Sequence, residues 1–169
     1  MLQDHNLPIA AKRPGENDTP GTRRELAGLQ GAIKHVDAQF GRLLAALQEL
    51  KLEDQTLVIF TTDHGIAMPR AKCALYDPGT EVALLLRHPA RAGWHGGVAP
   101  TALVSNIDIL PTILDLVGLP IAANVQGRSL APLLDGQAYA PRAELFTELT
   151  YHDYYDPRRA IRKIGRAHV

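Results

Sequence analysis

The sequence has one cysteine, few aromatic residues and no excess of either charge, and each shortage excludes a class of protein. A single cysteine in 169 residues excludes an internal disulfide framework. Lys plus Arg (18) equals Asp plus Glu (18), so no overall field favours nucleic acid or a membrane surface as a partner. No apolar run approaches the length of a membrane span. With 46% hydrophobic residues, the composition is that of a globular α/β chain with one core.

The most informative stretch is a short apolar strand that ends in a carboxylate, an imidazole and a glycine. Residues 57–61 predict a strand that is apolar on both faces, as in the interior of an α/β sheet. Asp63, His64 and Gly65 follow at its carboxyl end, where ligands gather in open α/β sheets. Because glycine permits a sharp turn, Asp63 and His64 could reach one metal ion. The alternative is an ordinary turn, with Asp63 capping a backbone amide and His64 in solvent.

A cationic loop follows this pair. It carries Arg70 and Lys72, and it runs to Gly79, which is too long for a tight turn. A second apolar run at 82–86 predicts the next strand. The order of strand, acid and imidazole, cationic loop and strand suits a site in which a metal and a Lys or Arg hold a tetrahedral dianion.

An amphipathic helix precedes the first strand. Thr22 and Glu25 have the spacing of a capping box, after a Pro20-Gly21 breaker that ends a predicted loop at 1–21. Apolar residues then recur at helical spacing on one face: Ile33, Val36, Phe40, Leu43, Leu44, Leu47 and Leu50. The helix and the strand predict half of a right-handed crossover in a parallel sheet.

The later part of the chain predicts structural elements more than chemistry. Residues 102–104 predict a short edge strand, and 105–117 predict a helix in which Asp108 is a structural carboxylate near the start. Strands are expected at 145–149 and from residue 159.

Two loops could contribute to a site or lie on the surface. His88 and His95 stand in a turn-rich loop at 87–97 whose glycines favour a rim over metal ligation. Trp94 could pack this loop down or lie over a substrate. The tyrosine-rich run at 151–155 could line a sugar-binding rim or form a plain surface loop.

Three pieces of the sequence together resemble the sulfatase family of the alkaline-phosphatase-like superfamily. They are Thr62-Asp63-His64-Gly65 after the strand, Lys72, and the run Leu-Tyr-Asp-Pro-Gly-Thr-Glu-Val at 75–82. The spacing from the aspartate to Lys72 and the Leu-Tyr-Asp-Pro-Gly run are most similar to the heparan N-sulfatase branch. The resemblance extends over about residues 19–163 and corresponds to the later part of the family's catalytic domain.

This resemblance implies an α/β fold, namely part of an alkaline-phosphatase-like α/β/α sandwich with the start of a small C-terminal sheet. Residues 1–140 would be the C-terminal portion of the catalytic domain, incomplete at its N-terminus, and 141–163 the start of a truncated subdomain. Residues 164–169 look like a translated adaptor, and we predict a non-native tail. The family's paired aspartates and Cys/Ser-x-Pro-x-Arg segment have no match. Cys73 lies in another context and is expected to be a buried small hydrophobe.

The resemblance also implies an activity, the hydrolysis of sulfate esters or sulfamates, on a sugar in the branch that the chain resembles most. The family uses a formylglycine nucleophile, expected in the missing N-terminal part, and a divalent cation that is usually calcium. Asp63 and His64 match the second pair of metal ligands, and Lys72 matches the cation that contacts the sulfate or the nucleophile. Arg70 has no counterpart and is a second choice as a substrate-binding residue. Without the nucleophile, this polypeptide alone is expected to be inactive.

The imidazole of His64 keeps other assignments open. Calcium prefers oxygen donors, whereas imidazole suits zinc or manganese, and many sulfatases have Asn at this position. The Asp-His form also occurs in phosphatases and phosphomutases of the superfamily, so a metal-dependent phosphoryl hydrolase or mutase is one alternative. A catalytically inactive fragment or a binding domain is another. The family implies a small-molecule or glycan sulfate as substrate, no nucleic acid, no membrane span, and a periplasmic or secreted full-length protein.

Overall fold

The computed structural model describes residues 19–94, 96–97 and 99–163, and the backbone of 166–168. The chain divides into two compact units, 1–53 and 54–169. Within the described residues, the first unit contains one long helix, and the second contains two small sheets and several short helices. The predicted loop at 1–21 lies outside the described residues as far as residue 18, and so does His95. Among the described helices, none has both the length and the apolar character that a membrane span requires.

Helix α1 (Pro20–Glu49) begins earlier than the sequence predicts. Thr19 is the N-cap, and its hydroxyl accepts a hydrogen bond from the Thr22 amide at 3.1 Å. The predicted capping box of Thr22 and Glu25 is therefore wrong. Pro20 occupies the first helical position, where its fixed φ suits the helix and its missing N–H costs nothing, so it starts the helix instead of breaking it.

The apolar stripe of α1 is not buried. No residue of the helix is buried, and Ile33, Val36 and Leu43 are each about half exposed. Within its own unit, the helix is therefore held by its backbone hydrogen bonds and its cap rather than by a packed face.

The strand that precedes the acid–imidazole pair is present, but its neighbour is antiparallel. Strand β1 (Val58–Thr61) pairs with β2 (Leu84–Arg87), in a register that places Val58 opposite Arg87 and Thr61 opposite Leu84. The connection between these strands contains the single helical turn α2 (Asp77–Thr80). The parallel crossover predicted for the helix and β1 stays a prediction, because its first strand would precede α1 and lie outside the described residues.

The predicted helix after residue 105 is confirmed and the edge strand before it is not. A 3₁₀ turn (Asn106–Asp108) leads into α3 (Ile109–Leu116), and α4 (Ala131–Leu134) is a further single turn. Gly118 ends α3 with a φ of +71°, as expected of a glycine stop. Residues 102–104 form no strand, because no described strand lies beside them to pair with their backbone.

The predicted C-terminal sheet is confirmed. Strand β3 (Glu144–Tyr151) pairs with β4 (Tyr155–Lys163), and β4 pairs with β5 (Arg166–His168), all antiparallel. Strand β5 lies in the segment that the sequence predicts to be a non-native tail, and its backbone completes the edge of this sheet. The boundary predicted at 140/141 and the origin of the tail stay predictions.

A buried ion pair joins α3 to the chain before β3. The guanidinium of Arg142 donates two hydrogen bonds of 2.5 Å to the Asp108 carboxylate, which also accepts from the amides of Ser105 (2.9 Å) and Arg128 (2.8 Å). The Asp108 side chain is fully buried and that of Arg142 is 9% exposed. The hydrogen bond to Asp108 raises the pKa of Arg142. The structural role predicted for Asp108 is confirmed, although its partner was not predicted.

We expect this pair to matter far more to stability than an exposed one. Arg142→Met should lower the free energy of unfolding by about 3 to 5 kcal/mol, because it leaves the Asp108 charge buried without its counter-ion. The matched control is Arg159→Met, since the Arg159–Glu148 pair is mostly in solvent (59% and 70% exposed). Its loss should cost less than about 1 kcal/mol. Urea denaturation measures both, and equal losses would contradict the expectation.

Candidate metal centre

Asp63 and His64 place two donor atoms side by side at the end of β1. The His64 Nδ1 lies 2.6 Å from the Gly65 carbonyl oxygen. Because a carbonyl can only accept, Nδ1 is the nitrogen that donates to it, and Nε2 is left to face other groups. That Nε2 lies 3.5 Å from Oδ2 of Asp63, whose side chain is 87% exposed. The carboxylate oxygen and Nε2 of the imidazole can therefore face one ion from solvent.

This donor set fits a divalent cation. Metal-binding histidines commonly donate their other ring N–H to a carbonyl or carboxylate, which fixes the tautomer, and the Gly65 carbonyl provides such a partner. Oδ1 of Asp63 also accepts a hydrogen bond from the His64 amide at 2.9 Å, as the ordinary-turn alternative expects, but Oδ2 stays available. Among the described residues, no cluster of three or more His, Cys, Asp or Glu could hold a metal. The pair would thus supply part of a coordination shell.

Two glycines close the loop that follows the pair. The Gly65 amide donates to the Gly79 carbonyl at 3.0 Å. A Cβ atom at Gly65 would lie 1.6 Å from the Pro78 carbonyl oxygen, and one at Gly79 would lie 2.2 Å from that of Ala71. No side chain fits at either position, so the backbone segments at both ends of the loop touch directly.

Lys72 stands on the outside of this closed loop. Its amide donates to the Ile66 carbonyl at 3.0 Å, which brings its backbone to a point two residues beyond the imidazole. Ala71 is buried, whereas the Lys72 side chain is exposed and pairs with no carboxylate among the described residues. Arg70 and Cys73 flank them with φ angles of +61° and +63°, an uncommon conformation for residues with a side chain. Cys73 is half-buried, so its predicted burial is wrong.

Arg70 and Asp77 connect this loop to other groups. The Arg70 guanidinium lies 4.4 Å from the centre of the Tyr76 ring, a cation–π distance. Asp77, in the first turn of α2, forms an ion pair with Arg162 of β4. Arg162 was not predicted. The sequence has no clear signal for it, because the residues on the same face of β4, Asp156, Arg158 and Ala160, form no apolar pattern that would mark that face as inward.

Asp63 also borders a groove of about 540 Å³ within the second unit. The opposite walls come from residues 102–106 and from β3 and β4, and most of the lining is apolar. His64, Arg70 and Lys72 do not line it. The structure therefore brings Asp63 and His64 together and sets Lys72 on the closed loop beside them, outside the groove.

The loop that carries His88 is held in place by contacts of Arg91 and Trp94 with Asp135. The Arg91 guanidinium donates to both carboxylate oxygens of Asp135 (2.9 and 2.6 Å), and the Trp94 indole donates to the same carboxylate at 2.7 Å. The hydrogen bond from Arg91 is the main reason that the pKa of Asp135 is lowered. Trp94 is buried, so it packs this loop down. The Nδ1 of His88 is buried and has no hydrogen-bond partner among the described residues.

Comparison with known proteins decides the family. The sequence model of the sulfatase family matches residues 3–119. The chain belongs to the sulfatase family. The expected membership and the alkaline-phosphatase-like α/β fold class are both confirmed.

Three similar proteins illustrate this sulfatase-family relationship. Arylsulfatase A of Homo sapiens is 37% identical over 132 residues, which cover 72% of this chain and 26% of the relative. N-sulphoglucosamine sulphohydrolase of Homo sapiens is 33% identical over 145 residues, with 80% and 28% covered. The solved phosphonate monoester hydrolase SpPMH from Silicibacter pomeroyi superposes with a TM-score of 0.68 at 30% identity, covering 89% of this chain and 33% of that one. The chain thus spans about a quarter of the length of the curated relatives it matches.

The close contact at Gly65 provides a test of how Asp63 and His64 are held in place. Gly65→Ala should destabilise the second unit by roughly 1 to 3 kcal/mol, because the new methyl group overlaps the Pro78 carbonyl. It should also shift the amide NMR signals of residues 63–80. Gly41→Ala is the matched control: nothing lies within 4 Å of its Cβ position in α1. That change should stabilise the helix by about 1 kcal/mol. Unchanged amide signals in the Gly65 variant would show that the contact is not needed.

Proposed function

We propose that this sulfatase-family chain forms part of an active site that hydrolyses a sulfate ester or a sulfamate. In this proposal Asp63 and His64 ligate a divalent cation, and Lys72 contacts the sulfate or the nucleophile. The observation that supports it most is the arrangement of the pair: Nδ1 of His64 is tied to Gly65, and Nε2 lies 3.5 Å from Oδ2 of Asp63. A sulfamate on an amino sugar fits the name of one relative, N-sulphoglucosamine sulphohydrolase.

The candidate site residues of this chain would have distinct tasks. A bound cation would supply Lewis-acid stabilisation of the charge that develops on the sulfate oxygens. Asp63 and His64 would hold it, with the His64 ring kept in one tautomer by the Gly65 carbonyl. Lys72 offers a compact, strongly hydrated ammonium that has no carboxylate partner in the described part of the chain, so its charge is available to an anion. Arg70 would be a secondary contact, because its guanidinium already lies on Tyr76.

We propose calcium as the metal, with zinc or manganese as alternatives. Calcium is the usual ion of the family, and the mostly exposed carboxylate of Asp63 is an oxygen donor of the kind that calcium prefers. The imidazole of His64 favours zinc or manganese instead. The two ligands of this chain are thus compatible with a hard or a borderline ion.

A second candidate is the hydrolysis of a phosphonate monoester. It is favoured by the structural neighbour from Silicibacter pomeroyi and by the imidazole ligand, which suits phosphoryl-transfer metals as well. A phosphonate ester also presents a tetrahedral anion to Lys72. The two candidates are separated by whether an aryl sulfate or an aryl phosphonate perturbs the Lys72 amide signal more strongly in the presence of metal.

The chain by itself should not turn over substrate. The family's nucleophile is a formylglycine made from a Cys-x-Pro-x-Arg or Ser-x-Pro-x-Arg segment, and the one cysteine here, Cys73, is followed by Ala-Leu-Tyr. Purified chain should therefore leave an aryl sulfate unhydrolysed with calcium, zinc or manganese, as measured by release of the coloured phenol. Turnover above a metal-only blank would contradict this prediction.

Metal binding can be tested without turnover. Mn²⁺ added to the ¹⁵N-labelled chain should broaden the amide signals of residues 63–66 and 72, because a paramagnetic ion relaxes nearby nuclei even when its binding is weak. Asp63→Asn and His64→Ala should each reduce this broadening, because each removes one of two donors. Added Ca²⁺ should reverse it by competition.

A matched control is present in the same chain. His152 and Asp153 form another exposed His–Asp pair, with Nδ1 and Oδ2 3.2 Å apart. His152→Ala should leave the broadening around Asp63 unchanged. If Asp63→Asn and His64→Ala left it equally unchanged, the metal assignment would be wrong.

A further inference from the structure

Arg162 of β4 makes a contact that ties the C-terminal sheet to the loop of the candidate site. Its guanidinium pairs with the carboxylate of Asp77, in the first turn of α2. The two residues stand 85 positions apart in the sequence, so the contact joins distant segments of the second unit. The hydrogen bond to Asp77 is the main reason that the pKa of Arg162 is raised. Neither residue is among the proposed ligands of the metal or of the sulfate.

The backbone of Arg162 is held on both sides. Strand β4 is the middle strand of the C-terminal sheet, with β3 on one side and β5 on the other. Arg162 lies opposite Leu145 of β3 and opposite Ala167 of β5. A residue of a middle strand is restrained by both of its neighbours and opens less readily than a loop. The guanidinium therefore reaches Asp77 from a well-fixed position.

Asp77 begins the helical turn that contacts Gly65. The Pro78 carbonyl oxygen would lie 1.6 Å from a Cβ atom at Gly65, and the Gly79 carbonyl accepts the Gly65 amide at 3.0 Å. The Glu81 amide donates to the Asp77 carbonyl at 2.8 Å, so the residues of this turn move together. A displacement of α2 would therefore either carry Gly65 with it or break its hydrogen bond.

Gly65 is in turn the residue that orients the imidazole. Its carbonyl accepts a hydrogen bond from Nδ1 of His64 at 2.6 Å, which leaves Nε2 facing Oδ2 of Asp63. Because Gly65 has no side chain, backbone contacts place this carbonyl. Metal-binding histidines depend on such a partner for their orientation. An unbroken series of contacts thus joins Arg162 to the His64 ring.

A second observation places the ion pair beside the metal pair. Asp63, Asp77, Gly79 and Arg162 all line the groove of about 540 Å³ in the second unit. The carboxylate of the metal pair and the ion pair therefore border one space. Their proximity does not depend on the series of backbone contacts alone.

We propose that Arg162 is a positioning residue for the metal pair. Its ion pair with Asp77 holds α2 against Gly65, and the Gly65 carbonyl then keeps the His64 ring turned toward Asp63. This inference rests on the proposed function, because it gives Arg162 a task toward the proposed metal. The side chains of Arg162 and Asp77 are 35% and 43% exposed, so loss of the pair should cost little stability.

Arg162→Met tests the inference, because methionine keeps an unbranched side chain and removes the charge. In a chelating buffer, the imidazole ¹⁵N signals of His64 should shift, and the Gly65 amide should exchange with solvent roughly threefold to tenfold faster. With Mn²⁺ in place of the chelator, the affinity measured from the broadening of residues 63–66 should fall roughly threefold to tenfold, less than when a direct partner of a ligand is lost. Arg162→Lys should restore part of each effect, since an ammonium can still pair with the carboxylate.

Lys163→Met is the matched control. Lys163 is the next residue of β4 and also pairs with a carboxylate, that of Glu144, with 54% and 36% of the two side chains exposed. Its side chain points to the opposite face of the strand. This variant should leave the His64 signals, the Gly65 exchange and the Mn²⁺ affinity unchanged. A loss of stability in urea for Arg162→Met without any change at His64 would make the pair merely structural and would overturn the inference.

Asp77→Asn shows whether Arg162 acts through its carboxylate partner. It should reproduce the effects of Arg162→Met, and the double variant should show no more than either single change, because both break the same contact. Additive effects would overturn the inference, as would unchanged His64 signals in Arg162→Met. No Mn²⁺ broadening in the unchanged chain would overturn the metal assignment instead. The two failures are distinguishable, since the His64 and Gly65 signals are measured without metal.

Discussion

The hydrogen bond from the Gly65 amide to the Gly79 carbonyl is the constraint on which the candidate site depends. It closes the segment between them into a ring of backbone. Only glycine permits this contact, because neither position has room for a Cβ atom. The imidazole precedes the closure by one residue, and Lys72 belongs to the closed segment, with its side chain exposed on the outside. Since the closure uses backbone atoms only, the side chains of Asp63 and Lys72 remain free for an ion and an anion.

Closure of this ring carries a conformational cost at two residues. Arg70 and Cys73 have left-handed backbone angles, which cost roughly 1 to 2 kcal/mol for each residue with a Cβ atom. Burial of Ala71 and the backbone hydrogen bonds from Ala71 and Lys72 offset that cost. The two left-handed residues flank the pair Ala71 and Lys72, so one side chain turns inward and the next turns out. Strain of this kind is common where a loop must present a particular side chain.

The features that the sequence predicts best are those that a short segment determines by itself. The strand at 58–61 and the glycine stop at Gly118 follow from local pattern, and both are present. The antiparallel partner of β1 and the Asp108–Arg142 pair depend on contacts between distant residues, which periodicity does not reveal. The predicted start of α1 was wrong for a local reason, since Pro20-Gly21 can be interpreted as a break or as a first turn. For the site, the motif predicts Asp63 and His64 as metal ligands, whereas the loop closure could be seen only in the coordinates.

Two His–Asp pairs in the second unit show why geometry, rather than composition, supports the metal assignment. In the pair at 152 and 153, Nδ1 lies 3.2 Å from the carboxylate, so the carboxylate faces the ring nitrogen nearest the backbone and can bind its proton. In the pair at 63 and 64, Nδ1 donates to a carbonyl instead, and the carboxylate faces the other nitrogen, Nε2. A metal ion bound between Nε2 and Oδ2 would contact both donors and leave intact the hydrogen bond that orients the ring. This difference in geometry is the reason to propose the ion at 63 and 64 rather than at 152 and 153.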